Sequence, residues 1–210
     1  HDNQAVLLEL GERPNVHVLE TAIGQLIEHH DALRLRLVGD RQRFIAPQGP
    51  IPFERVAFSN GVLLEEAAAR VQTSLNLTSG PVFRAVFFEH PEAPARLLLC
   101  AHHLAVDGVS WRILLEDLAI TYQSHSSGES VALPPKTTSF KRWAERLFEY
   151  AQSKQLHAEA ERWLDARLLA APHPPTDAGL EGDAQSVVAN LSPGETQTFL
   201  QAVSPAHGAR

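Results

Sequence analysis

Methionine is missing from all 210 residues, cysteine occurs once, and no hydrophobic run approaches the roughly 18–20 residues that a membrane span needs. Each absence excludes something. One cysteine, Cys100, forbids an intrachain disulfide, and its place inside the run Leu97–Ala101 reads as a small buried hydrophobe. With no signal-peptide pattern, a lone thiol fits a reducing cytoplasm. Positive charge is also scarce. The 18 Lys and Arg against 25 Asp and Glu leave a net charge of −7 and a pI near 5.9, and the basic residues are dispersed. Phosphate contacts need them clustered, so a nucleic-acid partner is disfavoured. No glycine-rich phosphate loop is present, since Gly108 alone is not a nucleotide motif. What is there, at 44% hydrophobic composition, suffices for the core of one domain or one and a fraction.

The chemistry-bearing stretch is His102-His103-Leu104-Ala105-Val106-Asp107-Gly108. A buried-strand pattern, Leu97–Ala101, precedes it, and Trp111, Leu114, Leu115, Leu118 and Tyr122 follow on one helical stripe. The histidines therefore sit at a strand-to-helix junction. Imidazole exchanges protons near neutral pH, and neighbouring strand residues point to opposite faces. One histidine should face a reaction space and the other should pack. Metal ligation is disfavoured, because diverging neighbours cannot converge on one ion and no nearby Cys or His completes a set. Asp107 can cap the following helix or pair with an arginine.

Elsewhere the pattern alternates between strands and helices. Ala5–Leu10 reads as a strand, and Leu19, Ile23, Leu26, Ile27 and His30 as a helical stripe. Leu33–Leu37 alternates strictly, predicting a strand with Arg34 and Arg36 on one face. A helix over 63–75 and a hairpin of Val82–Phe88 with Arg96–Ala101 follow. After a polar connector at 124–135, Ser139 caps a helix whose stripe of Phe140, Trp143, Ala144, Leu147 and Phe148 reads as core packing. A further helix runs through Trp163 and Leu164. The Pro-, Gly- and acid-rich stretch at 171–183 is the best boundary candidate. Ser186–Asn190 reads as a strand, and Ser192-Pro193-Gly194-Glu195 carries a capping-box pattern. Starting at His1 and stopping at Arg210 without an evident final element, the chain reads as a segment.

The string from His102 to Trp111 resembles the active-site motif of the condensation-domain superfamily of non-ribosomal peptide synthetases. His29-His30-Asp31-Ala32-Leu33-Arg34 is similar to that superfamily's early His-(Glu/Asp)-x-Leu-Arg motif. Val109–Leu114, Lys136–Ala144 and Asn3–Leu8 resemble the epimerization branch, whereas peptide-bond-forming members more often place tryptophan directly after the glycine. The resemblance runs the length of the chain. It implies an α/β fold, a chloramphenicol-acetyltransferase-like lobe in which a mixed sheet packs with helices, forming the first half of a V-shaped two-lobe domain. Residues 1–175 would be the N-terminal lobe, and 176–210 a linker and the start of a C-terminal lobe.

The activity so implied is epimerization at the Cα of an L-aminoacyl or peptidyl thioester, carried on the phosphopantetheine arm of a peptidyl carrier protein in secondary metabolism. His103 matches the catalytic position. His102, Asp107, Gly108 and Arg34 match supporting positions, with Arg34 or Arg36 pairing with Asp107, and Ser110 and Trp111 are placed to touch substrate. No intrinsic cofactor and no metal are implied. Partners would be the carrier, neighbouring synthetase domains and the C-terminal lobe. In the family the opposing acid–base group is a glutamate within Glu-Gly-His-Gly-Arg, a string absent here, and Glu181-Gly182-Asp183 does not replace it. Donors for the enolate oxygen are not identified by the sequence. A condensing acyltransferase and a noncatalytic carrier-docking module are the alternatives.

Overall fold

The apolar run Leu97–Ala101 lies inside a strand because both of its faces are covered. The computed structural model describes residues 2–57, 61–164 and 185–203. Four strands, β1 (Asn3–Glu9), β4 (Phe53–Ala57), β5 (Phe83–Glu89) and β6 (Arg96–His102), form one mixed sheet in the order β1-β6-β5-β4. β1 and β5 flank β6 antiparallel, and β4 joins β5 in parallel. Leu97, Leu99 and Ala101 share one buried cluster with Phe83, Ala85 and Phe87 and with residues of α1 (Val16–His29) and α3 (Gly108–Ser127). Leu98 and Cys100 face the other way, against Val86, Phe88 and Ala67 and Val71 of α2 (Gly61–Thr73). A strand buried on both sides reads as a continuous apolar run, not an alternation.

Three hydrogen bonds tie α1 and its two cap residues, Asn15 and His30, to α3 beyond the shared core. His30 Nε2 donates to Asp117 Oδ2 at 2.8 Å, His125 Nε2 to Gln25 Oε1 at 2.9 Å, and the Asn15 backbone N–H to the Tyr122 hydroxyl at 2.9 Å. They fix the helix whose first turn follows the histidine loop. A separate hairpin pairs β2 (Leu35–Val38) with β3 (Arg41–Phe44).

The stretch 33–37 departs from the expected strand. Asp31–Arg34 is a 3₁₀ turn and extended structure starts only at Leu35. The cause is Arg34, which folds back to donate to the carbonyls of Ile27 and Glu28, the open end of α1, while also reaching Ile45 O and Asp31. Helix ends leave carbonyls without intrahelical donors, and this guanidinium supplies them.

Residues His1–Thr137 and Thr138–Arg210 form two compact units. The second contains α4 (Phe140–Ala151), α5 (Lys154–Trp163) and α6 (Pro193–Thr198). Ser139 and Ser192 cap α4 and α6 as the sequence indicates, Ser192 in a full capping box with Glu195. The α4 stripe, expected in a core, is exposed: Phe140 at 59% and Phe148 at 72%. Periodicity reports that a helix face is apolar and not what covers it. Ser186–Asn190 is not a strand, and Val187 and Val188 face solvent. The boundary expected within 171–183 lies outside the described residues. None of the described helices is long and apolar enough to cross a membrane.

Candidate active site

β6 ends at His102, and the turn that follows is built by the chain on both sides of it. The His102 backbone N–H donates to Val82 O and its carbonyl accepts from Ala105 N. The His102 ring bends back, Nδ1 accepting from Leu104 N at 3.1 Å. Its nitrogen shapes the turn. His103 is anchored by its backbone N–H to Asp2 O at 2.9 Å, and its side chain is exposed.

Bond polarity fixes the state of the His103 ring. Nδ1 lies 2.9 Å from Val106 O, which can only accept, so Nδ1 carries the proton. Nε2 lies 3.0 Å from Gln4 Nε2. The Gln4 amide cannot be reversed, because its Oε1 accepts from the Trp111 indole N–H at 2.9 Å and an indole can only donate. Gln4 therefore donates to His103 Nε2, and that nitrogen holds the lone pair. One unbroken polarity, Trp111 to Gln4 to His103 to Val106, sets a neutral imidazole with its acceptor nitrogen facing the Gln4 amide. Such a group can take up a proton.

Asp107 caps α3. Its Oδ1 accepts from Ser110 N at 2.8 Å and from Ser110 Oγ at 2.6 Å, while Asp107 N donates to Ser110 Oγ at 3.2 Å. The hydrogen bonds from Ser110, side chain first and then backbone, hold the Asp107 carboxyl below its ordinary range. The expected arginine partner is elsewhere: Arg34 is occupied at the end of α1, and Arg36 donates to Leu35 O. Arg34 closes the end of α1, and the residue that follows α1, His30, holds Asp117 of α3.

The structure thus gathers His102, His103, Asp107, Gly108, Ser110 and Trp111 at one junction and leaves Arg34 away from it. Ser110 spends its hydroxyl on the cap. Trp111 is buried at 8% exposure within the main core, where only its N–H serves the site. A Cβ on Gly108 would meet no atom within 4 Å, so the space beside the loop is open. Gln4 carries no local signal that marks it as a site residue. The strand register delivers it, since β1 pairs Gln4 with Ala101, two residues before His103.

Two other features have the makings of a site. His29, His30 and Asp117 bring one ligand atom each within 4.8 Å of one another, a metal-compatible grouping among the described residues. His30 already bonds Asp117, and the positive charge of Lys136 acts on it, so a cation there would displace one contact and face repulsion. A cavity of about 550 Å³ lies between the end of α1, the 45–52 loop and the start of β5, with no histidine-loop residue in its lining. At its edge Gly80 has φ +77°, and the Arg36 guanidinium lies where a Cβ would project. Cys100 is no nucleophile, since burial pushes its thiol up to about 11.

A family model described as Condensation domain matches residues 1–209. A linear gramicidin synthase of Brevibacillus parabrevis is 43% identical over 219 residues, covering 96% of this chain and 3% of that protein. Chondramide synthase cmdD of Chondromyces crocatus is 38% identical across 99% of this chain and 6% of its own length. The epimerization domain from the third module of tyrocidine synthetase B superposes with TM-score 0.75 at 30% identity, covering all of this chain and 51% of that one. The starter condensation domain of rhizomide synthetase shares the fold, with TM-score 0.64 at 23% identity over 79% of this chain and 42% of its own. The lobe therefore has the mixed-sheet, chloramphenicol-acetyltransferase-like fold, and the chain spans about half the length of the solved domain it matches over its whole extent.

Proposed function

The chain belongs to the condensation domain family, and we propose that it forms the first wall of an epimerization site, with His103 as one of the two groups that move the Cα proton of a carrier-bound thioester. The observation that carries this reading is the fixed lone pair on His103 Nε2, set by the donor chain from Trp111 through Gln4. A thioester acidifies its Cα–H, and inversion requires one group to remove that proton and another to return one from the opposite face. A neutral imidazole whose acceptor nitrogen becomes available once the Gln4 amide gives way suits the first step, and positioned acid–base groups contribute about 10²–10⁴-fold each.

The opposing group must come from outside this chain, since Glu-Gly-His-Gly-Arg is not in it. The substrate arrives on the phosphopantetheine arm of a peptidyl carrier, in keeping with the synthetases to which the chain is similar. His102, Asp107 and Arg34 support the loop, Gly108 leaves room beside it, and Ser110 and Trp111 act through the cap and through Gln4.

The position of tryptophan favours epimerization over condensation. At 111 it is buried and orients Gln4, whereas position 109, directly after the glycine, is 64% exposed and would leave Gln4 without its donor. The likeness to an epimerization domain over the whole chain points the same way. The shared fold of a starter condensation domain keeps amide formation as the second reading. Chiral analysis of an L-aminoacyl carrier incubated with the intact parent synthetase separates them. An L/D mixture on the carrier supports epimerization, and acyl transfer to an amine without D product refutes it.

A further inference from the structure

The proton-transfer reading leaves the charge on the thioester oxygen unanswered, and Gln4 is placed to answer it. Its amide oxygen is tethered by Trp111, and its amide nitrogen has two N–H groups. One points at His103 Nε2 from 3.0 Å. Among the described residues no hydrogen bond holds the other.

The proton to be abstracted must occupy the place where this Gln4 N–H now sits, because His103 Nε2 has a single lone pair. Substrate entry therefore displaces the amide nitrogen from the ring. The Trp111 tether on the same amide group keeps that displacement short. Meanwhile the oxygen that gains charge belongs to the carbonyl carbon next to the reacting Cα, so it lies beside the base and not across the site from it.

We infer that Gln4 is a catalytic residue that donates an amide N–H to the developing enolate oxygen once substrate has taken its place at His103. This rests on the epimerization reading and deepens it. The step balances within the named groups: the Cα–H bond breaks, the proton goes to Nε2, and the electron pair moves into the enolate whose oxygen accepts from Gln4. An oriented donor with its tether already formed needs no reorganisation during the reaction, which is the condition under which such donors contribute most.

The test measures Cα–H exchange on a peptidyl carrier by the intact parent synthetase, with wild type, Gln4→Met, Gln4→Glu and Trp111→Phe. Gln4→Met removes the N–H donors, Gln4→Glu keeps an acceptor for Trp111 without them, and Trp111→Phe keeps the ring but frees the tether. Both Gln4 variants should lower kcat by about 10²–10³-fold, the loss seen on removing one oxyanion donor, with KM little changed. Trp111→Phe should give a smaller fall. The primary deuterium isotope effect should rise in all three, because abstraction becomes more limiting, whereas a merely misfolded fraction leaves it unchanged. Wild-type exchange with Gln4 variants of equal kcat and equal isotope effect overturns the inference alone. Absence of exchange in wild type overturns the epimerization reading itself. If Gln4→Met fails to fold, Gln4→Glu and Trp111→Phe decide.

Discussion

His30→Ala removes the donor that holds Asp117, and the cost follows from how little water reaches the pair. Asp117 keeps 6% of its side-chain exposure and His30 21%, with 2.8 Å between Nε2 and Oδ2. Breaking one partner of a fully dry pair costs ~3–5 kcal/mol, and with a fifth of His30 still wet we expect about 2–3 kcal/mol. That is roughly a factor of 30–150 in the folding equilibrium. Urea titration followed by circular dichroism reads it as a lower midpoint at unchanged slope. His30→Ala combined with Asp117→Leu should recover part of the loss, because no buried carboxylate then lacks a partner.

The same residue makes stability depend on pH. Burial lowers His30 below 6.5, outweighing the opposing pull of Asp117, and His29 and Lys136 add to the lowering. Between the folded value and 6.5 the unfolded chain binds more protons, so stability is full above that window and falls as pH drops through it. His30→Ala should flatten this acid slope. A single variant as stable as wild type at pH 7.5, or a slope that persists without His30, refutes this role for the pair.

Three further outcomes follow from the loop and its strand. Asp107→Ala should lower both melting temperature and exchange activity, since the first turn of α3 loses its cap, whereas Asp107→Asn should retain most of both; the hydrogen bonds from Ser110 hold the carboxyl below 3.8, so its charge-linked contribution is full above 3.8 and is lost as pH falls from there through the lower folded value. Gly108→Ala should be tolerated by the fold and can stabilise α3 by up to about 0.5–1 kcal/mol, and a drop in turnover without a drop in melting temperature would show that the open space beside the loop is used. Cys100 should resist thiol reagents in the folded protein and react on unfolding, a rate comparison in which equal reactivity would contradict its burial.

The junction around His103 is legible in the sequence because two local patterns meet there, an apolar run that ends and a helical stripe that begins, with Asp107 and Ser110 at cap spacing. The partners of that junction are not. Gln4 reaches His103 across 99 positions and Trp111 across 107, through a strand register that no short window encodes. Leu33–Leu37 misleads for a related reason. Alternation describes Leu33 and Leu35 both being buried whether the chain is fully extended or enters through a 3₁₀ turn, and the acceptors that draw Arg34 into the turn are backbone carbonyls, which carry no residue signature. Asp117 looks like one more polar helix position, yet it is buried by a histidine 87 residues away. In the second unit, the α4 stripe is amphipathic as its spacing indicates, but it is not covered.

The most direct measurement is deuterium incorporation at Cα, with chiral analysis, for an L-aminoacyl or peptidyl carrier in D2O, comparing the intact parent synthetase with its His103→Ala and His102→Ala forms. Wild type should show exchange with D product, and His103→Ala should fall by about 10²–10⁴-fold, the range for one acid–base group. His102→Ala should lose stability together with activity. Exchange undiminished by His103→Ala, or acyl transfer to an amine with no exchange at all, would contradict the role of His103 as a Cα acid–base group.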